Sequence, residues 1–462
     1  MIAEMTYLWT IYFSTIFAYV LILSTLGHMA HQRRDTPSIV AWLLAIILLP
    51  YIAVPFYFIL RSRKLKRNRK TPIKLKCTDE VDITNTTHVD MILRSNGIAG
   101  ATRGNKFKLY TDGVDAYHSL IAEIHRAEKR ILISTYVFKS DEVGKSILAE
   151  LTKKALQGVD VRLLVDSVGS MPLYIFQGSL RQFKKSGGKV AFYMPLLKRP
   201  FQNYINLRNH RKIFLFDDTK VIAGGMNLSH EYMGPVPCDD RWQDILFSID
   251  GPAVFHYREI FTEDWNFTSQ HQLEPYQLIS LPKGDTRIQV VPSGPDIETD
   301  ALYEALLSAS FSAKKRIWIV TPYFVPDKGL MQALIIAFHR GVDIKLITPA
   351  KSNHMIADLA RSSYMRDLDS YGIELCLLPT GMIHAKAILF DDEAVMMGSA
   401  NIDQRSLFLN YEVVSFIYSK ESILNSEEWM KKLITKCDHK MKPANKWRKI
   451  GENLMSVFAP LL

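Results

Sequence analysis

The sequence predicts an α/β protein made of two similar lobes, each a mixed β-sheet flanked by helices. A pseudo-twofold axis relates the lobes, and a two-helix transmembrane hairpin precedes them. Three observations carry this expectation. Strand-like and helix-like segments alternate from about Gly104 onward. The same order of segments returns roughly 180 residues later. The chain opens with two uncharged apolar stretches, Tyr7 to Gly27 and Ile39 to Leu60, each close to the roughly 20 residues that span a bilayer as a helix.

The apolar pair reads as a retained anchor. Only Glu4 carries charge before the first stretch, whereas a cleavable signal peptide needs a basic leader. The connection between the stretches holds Arg33, Arg34 and Asp35. After the second stretch come Arg61, Arg63, Lys64, Lys66, Arg67, Arg69, Lys70, Lys74 and Lys76, nine cations with no acid before Cys77. The positive-inside rule keeps that segment, and all that follows it, cytoplasmic. Its position beside an apolar span favours attraction to anionic lipid headgroups over nucleic acid. These nine cations account for nearly all of the net charge of +10, so the remainder of the 462-residue chain is close to neutral. The expected divisions are residues 1–60 (two membrane helices), 61–95 (basic linker), 96–285 (first lobe) and 286–462 (second lobe). Cys77, Cys238, Cys376 and Cys437 lie far apart in sequence without a CxxC or Cys/His cluster. They imply neither a zinc site nor a disulfide framework, and fit a reducing compartment.

In the first lobe, Arg130 to Val137 reads as a strand, Gly144 to Gln157 as an amphipathic helix and Val159 to Val165 as a buried strand. In the second, Arg316 to Tyr323, Lys328 to Arg340 and Val342 to Thr348 repeat that order. The duplication extends to His210-Arg-Lys212, Asp217 and Asn227 in one copy and His384-Ala-Lys386, Asp391 and Asn401 in the other. From His to Lys is two residues, to Asp seven and to Asn seventeen, in both copies. On a strand, residues two apart share a face, so each His and Lys should point the same way. Each Asp falls on the opposite parity and is expected to fix the turn or lobe structure. Two His, two Lys and two Asn converging on one cleft are costly to bury without an anionic partner, and a phosphoryl group supplies one.

At these residues the chain resembles the phospholipase D superfamily, defined by two HxKxxxxD motifs with trailing GxxN-type elements, so each lobe is expected to be phospholipase D-like. Within the superfamily it is most similar to bacterial cardiolipin synthases. The runs that carry this likeness are Arg208 to Lys212, Gly224 to Asn227 with His230-Glu231-Tyr232, Ser293 to Asp296, Thr321 to Asp327 and Gly398 to Ser406, with the paired apolar spans and the Pro460-Leu461-Leu462 terminus. One departure is Ser229-His230, where the family often has Gly-Asp.

The resemblance implies a two-step phosphatidyl transfer through a covalent phosphohistidine. His210 would be the nucleophile, and His384 the general acid and then the general base for the incoming alcohol. Lys212, Lys386, Asn227 and Asn401 would stabilise the charge that builds on the phosphoryl oxygens. Asp217 and Asp391 complete the motifs, while Asp244 and Glu412 occupy family-like positions for orienting the imidazoles. It implies neither metal nor cofactor. Phosphatidylglycerol as donor and acceptor, an anionic membrane and a bacterial inner-membrane location complete the expectation, with no nucleic-acid partner. A membrane-tethered phospholipase D or nuclease and a non-catalytic lipid-binding scaffold are the alternative readings. The aromatic, basic stretch from Phe192 to Tyr204 is a candidate to dip into the membrane interface.

Overall fold

The first apolar stretch is helical from Ile2 to Ala30 (α1), and its segment Met5–Gly27 is long and apolar enough to cross a membrane. The second stretch does not form the single span expected for it. It splits into Thr36–Leu48 (α2) and Pro50–Ile59 (α3), because Pro50 has no N–H with which to continue the helix. The two pieces still pack as a unit with α1: the Tyr51 hydroxyl donates to the Ser14 carbonyl, Phe17 and Tyr51 stack at 6.5 Å, and Ile46, Ala53, Val54 and Tyr57 bury against Leu21, Ile22 and Trp42. Trp9, Phe13, Phe17 and Leu23 remain exposed.

This computed structural model describes residues 2–30, 36–59, 87–196, 206–269, 271–274 and 282–457. The basic segment 61–76, most of the candidate interfacial stretch (197–204) and the terminus 460–462 lie outside the described residues. By contacts the chain divides into two compact units, residues 1–63 with 196–206 and residues 64–195 with 207–462.

The larger unit is built on β1 (Thr102–Tyr110), β2 (Arg130–Thr135), β3 (Asp160–Asp166), β4 (Lys189–Tyr193), β5 (Ile213–Phe216), β6 (Lys220–Gly224) and β7 (Leu246–Asp250). These are followed by β8 (Thr286–Ser293), β9 (Arg316–Val320), β10 (Phe324–Val325), β11 (Asp343–Pro349), β12 (Glu374–Leu378), β13 (Ala387–Phe390), β14 (Ala394–Gly398), β15 (Ile402–Asp403) and β16 (Glu412–Ile417). Among the described residues, fourteen of them form one sheet in the order β12-β11-β9-β13-β14-β16-β8-β1-β7-β6-β5-β2-β3-β4. Outward from the central β8–β1 pair the two halves read identically. Each has three antiparallel pairings leading to an antiparallel join with β2 or β9, and then two parallel ones. The duplicated sequence thus folds into two copies of one seven-stranded plan, and the antiparallel β1–β8 pairing fuses them edge to edge.

The helices cover the sheet with the faces their periodicity presents. In the helix Glu142–Leu156, capped by Asp141, the residues Val143, Ile147, Leu148 and Leu151 are buried. In Lys328–His339, capped by Asp327, Leu330, Leu334 and Ala337 are buried. The expected Arg130–Val137 strand ends at Thr135 because the Val137 N–H turns to the Asn227 side-chain oxygen at 3.1 Å instead of a neighbouring strand.

Candidate active site

Both His-x-Lys segments lie just before their strands, not on them as parity suggested: β5 begins at Ile213 and β13 at Ala387. The reason is a pair of bridges that cross from one lobe to the other. The His210 N–H donates to the Tyr411 carbonyl at 2.8 Å, and the His384 N–H donates to the Gln243 carbonyl at 2.8 Å. Isolated parallel bridges join Asn209 to Tyr411 and Gln243 to Ile383. Each His-x-Lys segment is therefore seated on the residue that precedes the other lobe's carboxylate.

The carboxylates follow the same crossing. His210 Nδ1 lies 3.0 Å from Glu412 Oε1 and 3.1 Å from the Ser399 carbonyl. His384 Nδ1 lies 2.6 Å from Asp244 Oδ2. The two sites differ in how the carboxylate is held. Ser399 donates its hydroxyl to Glu412. The corresponding residue in the first lobe is Gly225, where a Cβ would sit 2.2 Å from Asp244 Oδ1, so only glycine admits that carboxylate. Asp244 Oδ1 instead accepts the Ile245 N–H at 2.7 Å. Nδ1 of both rings thus faces a carboxylate, and Nε2 is the nitrogen of each ring turned away from it.

All six groups are buried: Lys212, Lys386, Asp244 and Glu412 within 2% of full enclosure, His384 at 7% and His210 at 9% exposure. Lys212 Nζ donates to the His210 carbonyl at 2.9 Å, and Lys386 Nζ lies 3.2 Å from His384 Nε2. Burial shapes their ionisation. It lowers both imidazoles, His384 to about 3, with Lys386 adding to the effect on His384 and Lys212 to that on His210. Burial also brings Lys212 down to about 7 and Lys386 to about 8, against the pull of the carboxylates. Burial opposes ionisation of Asp244 and Glu412 too, yet His384 and Lys386 hold the first below the usual range, and His210 and Lys212 hold the second. The site thus gathers two lysines whose charge burial opposes and two carboxylates held ionised by their cationic neighbours.

The remaining expected residues divide by location. Asn227 is buried and its side-chain oxygen accepts the Val137 N–H, while Asn401 is buried with Oδ1 unpartnered. Asp217 and Asp391 stand at the far ends of β5 and β13, with φ of 49° and 50°. Asp217 accepts the backbone N–H groups of Glu128, Lys129 and Arg130 at 2.8–2.9 Å, and Asp391 accepts those of Lys314, Lys315 and Arg316 at 2.8–2.9 Å. Both clamp the loop entering β2 or β9. The departure Ser229-His230 is built into a turn: the Ser229 hydroxyl donates to Glu231 at 2.6 Å and the His230 N–H to Asp141 at 2.9 Å.

The structure gives contacts to residues for which the sequence reading assigned no role. Arg211, between His210 and Lys212, is fully buried, with NH1 2.8 Å from Asp264 and NH2 3.0 Å from Asp296, and it donates to the Glu412 carbonyl at 3.0 Å. The Ser293-to-Asp296 run, quoted above only as a family likeness, supplies one of those acids. Asp166, at the end of β3, accepts the Asn209 N–H at 2.9 Å. Tyr136 packs edge-on to His210 at 4.9 Å, and Tyr232 edge-on to His384 at 5.0 Å. The cysteines lie far apart in sequence, but the fold brings one of them to a histidine. Cys376 on β12 lies 3.9 Å from His439 Nδ1, and that nitrogen lies 2.9 Å from Glu374. The Leu377–Asp438 bridge folds the Cys437-Asp-His439 segment against the sheet edge. Lys345 pairs with the same Glu374, so this cluster is accounted for as an ion-paired edge closure.

Comparison with known proteins matches this arrangement. The family described as cardiolipin synthase, PLD-like domain, matches residues 120–265 and 306–434, which contain both His-x-Lys segments and both orienting carboxylates. The chain belongs to the cardiolipin synthase family. A phospholipase D-nuclease N-terminal family also matches residues 14–61. Among relatives in the cardiolipin synthase family, the major cardiolipin synthase of Bacillus subtilis (strain 168) is 32% identical, over 93% of this chain and 95% of that protein. The cardiolipin synthase of Clostridium perfringens (strain SM101 / Type A) has the same identity and coverage. In fold, the chain is similar to the crystal structure of phosphatidylserine synthase from Haemophilus influenzae Rd KW20, with a TM-score of 0.59 and 16% identity over 81% of this chain and 98% of that one.

Proposed function

We propose that the protein transfers a phosphatidyl group between two phosphatidylglycerol molecules, giving cardiolipin and glycerol. The observation that carries the mechanism is the crossed pair of His–carboxylate contacts closing around two buried lysines. In the first step, His210 Nε2 attacks phosphorus, the bond from phosphorus to the glycerol oxygen breaks, and His384 Nε2 gives that oxygen its proton. In the second, His384 Nε2 takes the proton of the acceptor hydroxyl. The acceptor oxygen bonds to phosphorus, and the phosphorus–nitrogen bond breaks to restore His210. His384, whose pKa burial holds low, must gain a proton before the first step. The bound diester anion and ionised Asp244 both favour that proton, and the two imidazoles titrate as a coupled pair.

Lys212 and Lys386, with Asn227 and Asn401 as neutral donors, face the charge that accumulates as phosphorus becomes five-coordinate. One phosphodiester replaces another, so the outcome depends on concentrations and on keeping water out. Anchoring by the apolar N-terminal segment holds the site where acceptor lipid is concentrated in two dimensions. The reading includes a bacterial inner-membrane protein with two membrane segments and its catalytic lobes on the cytoplasmic side. The deciding experiment incubates the full chain with phosphatidylglycerol vesicles in chelator and identifies the products by mass spectrometry. Cardiolipin with glycerol is the expected result; phosphatidic acid alone would replace the synthase with a hydrolase.

A further inference from the structure

The carboxyl ends of the parallel strands are where open α/β sheets hold ligands, and here the segments that leave β3 and β11 flank the site on both sides. In the first lobe, Asp166 ends β3 beside Asn209, and Ser170 donates to the carbonyl of Tyr136 at 3.0 Å, next to the ring that packs on His210. The chain then exposes Met171, Ile175 and Phe176, the last at 75%. In the second lobe, the Tyr323 hydroxyl donates to Asn353 at 2.5 Å and its ring lies 6.1 Å from His354. Met355 and Ile356 follow, exposed at 77% and 50%. The β3 and β11 exits occupy equivalent places in the two halves of the sheet, so the two apolar tips are pseudo-twofold partners.

Water gives no reason to place large apolar side chains at both symmetry-related lips of one charged site. Their charge setting points to the occupant. Neither segment contains an acid between Ser167 and Arg181 or between Ala350 and Ala357, while Arg181, Lys184, Lys185 and Lys351 are exposed cations beside them. Asp358, which accepts the Ser352 N–H at 3.0 Å, is the acid beside the second tip, and Arg361 pairs with it at 2.8 Å; apolar tips with basic neighbours suit an anionic bilayer surface.

We infer that Met171, Ile175 and Phe176 on one lip and Met355 and Ile356 on the other insert into the membrane interface and seat the mouth of the site on the lipid it draws from. This rests on the proposed reaction for its purpose but not for its test. The full chain is reconstituted in phosphatidylglycerol vesicles with phosphatidylglycerol brominated on its acyl chains, and Phe176→Trp and Met355→Trp are compared with Leu156→Trp. Leu156 is 68% exposed and precedes the opposite, amino end of β3. Quenching beyond that of the parent chain is expected for the first two and not for the third. The combined change Ile175→Asp, Phe176→Asp, Met355→Asp and Ile356→Asp should lower cardiolipin formation on vesicles by roughly tenfold or more while leaving hydrolysis of a soluble aryl phosphodiester unchanged. Tryptophans at 176 and 355 quenched no more than the one at 156 would overturn the inference, including when the aspartate variant fails to fold. If both lip tryptophans are quenched but the parent forms no cardiolipin, the lip docking stands and the reaction assignment falls.

Discussion

Each imidazole is oriented by a carboxylate from the opposite lobe, and this arrangement sets the sensitivity of individual side chains. Asp244→Asn keeps the shape but can present an amide N–H to His384 Nδ1, favouring the wrong tautomer. Turnover should drop by about 10²–10⁴, with little change in the melting temperature. Glu412→Gln should act in the same direction at His210, whose Nδ1 also faces the Ser399 carbonyl. The effect is read as kcat on phosphatidylglycerol vesicles beside a circular dichroism melt. The lysines give a second test, in pH. Burial brings Lys212 down to about 7 and Lys386 to about 8, and a bound anion should raise both. Binding therefore takes up protons above about pH 7, and affinity weakens as pH rises. Isothermal titration with tungstate, a dianion throughout this range, should give a Kd that increases by up to about tenfold per pH unit between pH 7 and 8 and more steeply above pH 8, up to about a hundredfold per unit, where both lysines take up a proton on binding. A Kd that tightens with rising pH would contradict the assignment of the lysines as the anion's partners.

At the scale of elements, Asp217 and Asp391 carry the motif signature yet act on the backbone of the loops entering β2 and β9. Asp391→Ala leaves three N–H groups without their acceptor and should lower stability by about 1–3 kcal/mol, while turnover per folded molecule is largely retained. Denaturant unfolding and activity normalised to the folded fraction separate the two effects. The strand parity offered for Asp217 and Asp391 does not hold, because the His-x-Lys segments lie off β5 and β13 and each Asp reaches its loop from a positive-φ position past the strand's end. The strand order on either side of β1 and β8 was foreshadowed by the duplicated segments, since a repeated sequence has to repeat its pairing. What local pattern could not give was anything arising between lobes. His210 and Lys212 looked like strand residues because alternation is a local property; the bridge to Tyr411 that pulls them off β5 depends on a residue about two hundred positions away. Pro50 was visible in the sequence, but hydropathy alone passed over its missing N–H, so one span was expected where two helices form. Cys376 and His439 meet only because β12 is an edge strand that the later segment can join.

The whole larger unit is coupled through buried charge as well as through the continuous sheet. Arg211 comes from the first lobe's motif, Asp264 from the helix Val254–Thr268 and Asp296 from the start of the second lobe, and all three are enclosed. Removing the guanidinium alone leaves two buried carboxylates without their shared cation, whereas replacing the whole group removes the charges together. Arg211→Met should therefore destabilise by about 3–5 kcal/mol, and the triple change Arg211→Met, Asp264→Asn, Asp296→Asn should recover much of that loss. Recovery of stability should not bring full recovery of turnover. Arg211 also holds the carbonyl of Glu412, and with it the carboxylate that orients His210. Because β1 pairs with β8 and the His-x-Lys segments bridge in both directions, neither lobe can open without exposing the other's histidine. Calorimetry on the full chain should show the two lobes melting in one transition. In the Arg211→Met protein that transition should move down in temperature without splitting; separate melting of the lobes would show that the crossed contacts do not join them energetically.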